Sequence, residues 1–213
     1  MSYLIRPMKV EDLAQVNEIE RESFPTEWPP VTYKAETLSN KLAHYIVAVH
    51  TEKALEPPEQ KTRPSPFGRL GARLWRHGRK QSLSQTPIQR VVGFAGVWLM
   101  AGEAHLTVIA VREASRRLGI GELLLMAAIS LATRHNARLL TLEVRASNVP
   151  PIKLYEKYGF VRVGVRRGYY SEDGEDALLM SIENLTSASY QDRFEKLKQA
   201  HQQAWGTADS SIS

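Results

Sequence analysis

Two β-forming runs, Arg90 to Met100 and Glu103 to Val111, stand almost end to end, with only Ala101-Gly102 between them. A two-residue link between such runs closes an antiparallel hairpin. Shortly afterwards comes a segment from about Gly121 to His135 in which Leu123, Leu124, Leu125, Met126, Ile129 and Leu131 leave little polar surface. A helix that apolar belongs against a sheet rather than in water. The flanking pattern agrees. Tyr3 to Arg6 and His44 to His50 read as strands, and Val10 to Glu22 as a helix with Leu13, Val16 and Ile19 on one face. Phe24 to Pro30 is too proline-dense for a regular element, and a short helix is expected from Tyr33 to about Leu42. A strand at Arg138 to Arg145, a helix at about Ile152 to Tyr158 and strands around Phe160 to Arg166 and Ala177 to Glu183 follow. The order predicts a mixed α/β fold: a mostly antiparallel central sheet with helices on both faces, not a doubly wound parallel sheet.

Charge is concentrated in one place. Residues 53 to 90 hold nine Lys or Arg against two Glu, more than the net +5 of the whole chain, so the rest is slightly acidic. The stretch is also rich in Pro, Gly, Ser and Gln and has too few apolar residues to offset the entropy of ordering. It is expected to be a disordered basic insertion in one compact domain over 1–186. Residues 187–213 form a second unit, an amphipathic helix and a flexible tail. There Tyr190, Phe194, Leu197, His201 and Trp205 fall along one side of a helix. That side suits docking on its own domain or on a partner.

With no cysteine, a disulfide, a thiolate zinc cluster, an iron–sulfur centre and a Cys nucleophile are all excluded. His44, His50, His77, His105, His135 and His201 lack ligand spacing, so no metal is assigned. The N-terminus resembles neither a secretory signal nor a transit peptide, and no run is apolar and long enough to cross a bilayer. A cytoplasmic protein with no membrane contact is expected.

Two segments carry chemistry. Arg116-Arg117-Leu118-Gly119-Ile120-Gly121 lies between a strand and the apolar helix, where glycines let the backbone approach an anion and free helix N–H groups point at it. It lacks the Lys-Ser/Thr of a Walker loop and the strict GxGxxG fingerprint, which favours a pyrophosphate without a metal. The second is Leu142 to Phe160. Glu143 near a strand end, Asn148 just after it and Tyr155 one turn into the next helix gather at one end of the sheet. Read alone, Glu143 serves equally as an ion-pair partner and Tyr155 as a core aromatic.

The RRLGIG segment matches the (Q/R)xxGx(G/A) signature of the GCN5-related N-acetyltransferases (GNAT), and LEVRASN, IKLYEKYGF and RRGYY resemble the RimI subgroup. The resemblance spans Tyr3 to about Glu183, apart from the insertion. It implies the GNAT fold, with splayed central strands, and acetyl-CoA as co-substrate. It also implies roles by position. Ile109, Ala110 and Val111 match the strand that holds the pantetheine arm, with the Val111 N–H aimed at the thioester oxygen. Arg117, Leu118, Gly119, Ile120, Gly121 and Glu122 match the pyrophosphate turn, and Asn148 matches a cofactor-contacting Asn. Glu143 matches the general base and Tyr155 the general acid. Phe24, Pro25, Trp28, Tyr169 and Tyr170 resemble the walls around the acceptor peptide. Pro150-Pro151 departs from the pattern, because relatives carry small residues there.

The implied activity is acetyl transfer, in a ternary complex, to the N-terminal α-amine of a protein, the subgroup's acceptor being the N-terminal alanine of the small-subunit ribosomal protein eighteen. The same fold also accommodates other N-termini, lysine side chains or small amines. The basic insertion raises a different class, a ribosome- or RNA-binding module with residual acetyl-CoA affinity, in which that insertion contacts RNA weakly.

Overall fold

The computed structural model describes residues 3–24, 40–50 and 89–211. Pro25, Trp28, most of the helix expected over 33–42 and nearly all of the basic insertion lie outside the described residues; Asn40 to Leu42 form a turn. The elements are β1 (Tyr3–Pro7), α1 (Leu13–Ser23), β2 (Ala43–His50), β3 (Arg90–Met100), β4 (Glu103–Val111), α2 (Ile120–Arg134), β5 (Leu139–Arg145), α3 (Val149–Lys157), β6 (Val161–Tyr170), β7 (Glu175–Ile182), α4 (Ala188–Trp205) and β8 (Asp209–Ser210). They build one mixed sheet in the order β6-β7-β5-β4-β3-β2-β1-β8. The β4–β5 and β1–β8 pairs are parallel and the others antiparallel.

The core is split between the two faces. On one, α2 buries Leu124, Leu125, Met126, Ile129 and Leu131 against Val92, Ala95, Val97, Leu106, Leu140 and Leu142. Each such large apolar side chain contributes on the order of 1.5–3 kcal/mol when fully buried. On the other, Val16 and Ile19 of α1 pack on Tyr45, Val47, Val91, Phe94 and Ala110. Covering both faces accounts for the unbroken apolar run in the middle of β3.

Two irregularities shape the sheet. In β4, Gly96 of β3 faces Val108 but Val97 faces Leu106, so Thr107 is an extra residue. The bulge reverses the alternation, placing Leu106 and Ile109 together on the α2 side and Val108 and Ala110 on the α1 side. The second is a separation of strands. β4 and β5 pair from Glu103↔Leu139 only as far as Leu106↔Leu142. Beyond that point β4 stays with β3 and β5 with β7, opening a wedge between them.

Past Trp205 the chain does not simply trail away. Asp209 and Ser210 pair with Leu4 and Ile5, so the tail expected to be flexible adds a short edge strand. Among the described residues no helix is long and apolar enough to cross a membrane.

Candidate active site

The wedge is lined by backbone groups whose direction follows from the ladder. Arg112 N–H donates to the Val92 carbonyl at 2.9 Å, and Phe94 faces Ala110. Because direction alternates along a strand, Ala110 and Arg112 address β3, while the N–H and C=O of Ile109 and Val111 point away from it into the wedge. The Val111 carbonyl takes a hydrogen bond from Arg116 Nε at 3.3 Å. The Ile109 and Val111 N–H groups have no strand opposite them.

At the same end of the sheet, β4 leads through a 3-10 turn (Glu113–Ser115) into the glycine turn. Arg117 has φ +62° and Gly119 φ +75°, and Gly119 caps α2. Its carbonyl accepts Leu123 N–H at 2.9 Å, which leaves the first N–H groups of α2 without backbone partners. Glu122, in that first turn, is not free to meet a ligand with its side chain. It accepts from Tyr158 Oη at 2.7 Å and Lys157 Nζ at 2.5 Å. Burial pushes its carboxyl up, but the hydrogen bonds from those two donors and the charge of Lys157 outweigh it and hold the group below its ordinary value. This ties the start of α2 to the end of α3, so Glu122 can offer a ligand its backbone only. Asn148 caps α3 with no side-chain hydrogen bond of its own and is exposed where β5 ends. Pro150 and Pro151 occupy the first turn of α3, where a missing N–H costs nothing.

Glu143 lies on the face of β5 away from α2, one residue beyond the last β4 pair. It is nearly enclosed, its side chain 8% exposed. His105 Nε2 donates to one carboxylate oxygen at 3.0 Å, and Arg166 Nη2 to the other at 3.0 Å. His105 Nδ1 in turn lies 2.7 Å from Thr141 Oγ1, its cross-strand neighbour. The His105 hydrogen bond is the main influence. Burial opposes it, the charges of His105 and Arg166 add to it, and the Glu143 carboxyl sits below the ordinary glutamate range.

Tyr155 is 5% exposed and stacks obliquely on Phe160 at 5.6 Å. Burial, and then the negative influence of Tyr170, push its hydroxyl well above the usual phenol range. Tyr170 is the connecting residue. Arg145 lies over its ring at 3.9 Å, and burial first, with Glu143 among the contributing charges, pushes it up to about 12. Tyr169 packs edge-on to Tyr170 at 5.2 Å and also feels Glu143. Glu143, Tyr155, Tyr169 and Tyr170 therefore share one electrostatic neighbourhood. Phe24 is exposed at the end of α1, and no described contact joins it to these residues. Pro25 and Trp28 lie outside the described residues.

Reading the sequence alone misses His105, Thr141 and Arg166. Their pattern is visible only once β4 and β5 are placed in register, because His105 and Thr141 are thirty-six positions apart.

Residues 13–160 match the family model described as Acetyltransferase (GNAT) family. The chain belongs to the GNAT acetyltransferases. Over 178 residues it is 32% identical to a Bacillus subtilis protein provisionally named ribosomal protein bS18-alanine N-acetyltransferase, spanning 84% of this chain and 93% of that one. It is 33% identical over 181 residues to an N-alpha-acetyltransferase of Sulfurisphaera tokodaii, covering 84% and 92%. Among solved structures, the crystal structure of the ribosomal-protein-S18-alanine N-acetyltransferase from Escherichia coli superposes with a TM-score of 0.61 at 25% identity, over 85% of this chain and 94% of that one.

GNAT enzymes use acetyl-CoA, and this site suits it. A turn with orphan N–H groups fits a diphosphate, and the N–H groups of Ile109 and Val111, which have no strand opposite them, fit an extended, amide-bearing arm. Among the described residues no group of His, Cys, Asp or Glu could hold a metal ion.

Proposed function

We propose that this GNAT protein acetylates the N-terminal α-amine of a cytoplasmic protein, with the N-terminal alanine of ribosomal protein bS18 as its acceptor. The observation that supports the reading is the position of Glu143 beside a wedge into which the N–H groups of Ile109 and Val111 point. The B. subtilis and E. coli relatives supply the choice of acceptor.

Acetyl-CoA, when bound, supplies an activated acetyl thioester and a good leaving group. The chain's own groups do the rest. An α-amine with pKa of about 7.7–8.0 is largely protonated at neutral pH and cannot attack until it gives up a proton. The Glu143 carboxylate, kept ionised by His105 and Arg166, draws the amine in and receives, directly or through one water, the proton its nitrogen sheds as it attacks the thioester. The Val111 N–H, fixed by the β3 ladder, is the donor for the thioester oxygen as negative charge grows there. Tyr155, whose burial keeps it protonated, holds the proton for the departing sulfur. Tyr169 and Tyr170 border the acceptor's first residue, and Asn148 and the turn from Arg117 to Glu122 hold the nucleotide end. With no cysteine in the chain, transfer is direct within a ternary complex.

The test is a panel of short peptides differing in the first residue, each with either the α-amine or a lysine amine blocked, with CoA release measured. Alanine-first peptides with a free α-amine should react fastest. Equal rates on many first residues would favour the broader specificity suggested by the archaeal N-alpha-acetyltransferase, and reaction at lysine alone would overturn the proposal. Tyr155→Phe should cut kcat by about 10-fold or more with the fold intact; an unchanged kcat would remove Tyr155 as the acid.

A further inference from the structure

The last helix lies beyond the residues that match the family, yet it reaches the glycine turn. α4 runs antiparallel to α2. Gln191 Nε2 approaches Thr133 Oγ1 at 3.4 Å near the end of α2, whereas His201 Nε2 donates to the Gly119 carbonyl at 3.0 Å at its start. Phe194 and His201 are buried, and Tyr190 and Leu197 pack on the core, so α4 is anchored along its length.

Trp205 is its final residue. A Cβ built on Gly119 would fall 2.8 Å from Cγ and Cδ2 of this indole and 2.9 Å from Cδ1. The five-membered ring thus rests on the backbone of the residue that caps α2. Trp205 remains 43% exposed, so the indole is held against the turn while part of it stays open to solvent. An aromatic face already held in place offers stacking at little ordering cost.

A diphosphate held at this turn joins two parts of the ligand. The thioester arm follows the wedge, and the nucleoside must leave the turn on its outer side. A purine stacks favourably on an indole. Resting on the acyl-CoA reading of the site, we propose that Trp205 is the platform for the adenine of CoA, so that a helix outside the family's common region becomes part of the cofactor site.

Full-length protein should be titrated calorimetrically with CoA and with 4′-phosphopantetheine, which lacks the nucleoside. Trp205→Leu should weaken CoA by roughly tenfold or more and leave 4′-phosphopantetheine within about twofold, while Trp205→Phe keeps most of the CoA affinity. CoA should also quench indole fluorescence in the parent, and much of that quench should vanish in Trp205→Phe. Equal weakening of both ligands would make Trp205 a structural prop, and tighter CoA binding would make it a cover over the turn; either result overturns the proposal. A parent protein that binds neither ligand would sink the acyl-CoA reading itself, and this inference with it.

Discussion

Glu143 is enclosed by donors, and those donors decide how the site titrates. Its carboxyl is held below the ordinary value, so it is ionised at any pH where an α-amine begins to deprotonate. The limb of activity near neutrality should therefore belong to the substrate amine, with kcat/KM rising up to about pH 8. Glu143→Gln should lower the plateau about 10²-fold without moving that limb, whereas a peptide with a less basic α-amine should move it. A limb that shifts in the variant would show the carboxylate to be the titrating group. Asp12 tests the same electrostatics away from chemistry. It pairs with Arg6 at 2.6 Å, both side chains under 10% exposed. Burial raises its carboxyl, but the hydrogen bonds and charge of Arg6 and Lys9 prevail and lower it. A depressed acid stabilises the fold above its unfolded pKa of about 3.9, and that stability is lost as pH falls through the folded value. Asp12→Ala leaves the buried Arg6 without a counter-charge, held only by Gln89 Oε1 and the Pro7 carbonyl, at a cost of about 3–5 kcal/mol near pH 7. Urea unfolding across pH 2–7 should show a gap between parent and variant that narrows towards the acid end; a constant gap would mean packing, not charge, is lost.

At the scale of elements, the glycine turn is the most demanding piece of backbone. Gly119 needs a positive φ that a side chain disfavours, and a Cβ there would strike Trp205. Gly119→Ala should weaken CoA binding by at least tenfold while lowering the melting temperature only modestly, since the strain sits at the end of α2 and not in the core. Calorimetry and thermal melts on the same samples check this, and a CoA affinity equal to the parent's would separate the turn from the ligand. This turn was legible in the sequence because glycine spacing before an apolar helix is a local signal. β6 was less so. The strand expected to end around Arg166 is carried by pairing with β7 to Tyr170, across irregularities at Arg162/Gly164 and Arg166/Tyr170. The Thr107 bulge was likewise invisible, because an extra residue in a strand is defined by its partner. The Thr141–His105–Glu143–Arg166 cluster is written in three separate segments and appears only when the sheet assembles.

For the whole molecule, the wedge divides the sheet into two halves that share only the pairing from Glu103↔Leu139 to Leu106↔Leu142. The helices on one face bridge them: α2 packs on β3 and β4, and α4 on α2 and the end of α3. A ligand lying in the wedge replaces the missing strand contacts and so couples the halves, stabilising the fold by about 2.7 kcal/mol at a hundred times its dissociation constant. The ladder makes this testable amide by amide. Ala110 and Arg112 donate towards β3 and should resist hydrogen exchange with or without ligand. Ile109 and Val111 point into the wedge, so their amides should exchange quickly in the free protein and slow markedly when acetyl-CoA saturates it. Residue-resolved exchange by NMR separates the alternatives. Slowing at all four positions together would mean general stiffening of β4, and no change at Ile109 and Val111 would mean that the ligand does not use the wedge. Slowing confined to those two would establish that the strand β4 lacks beyond Leu106 is supplied by the substrate.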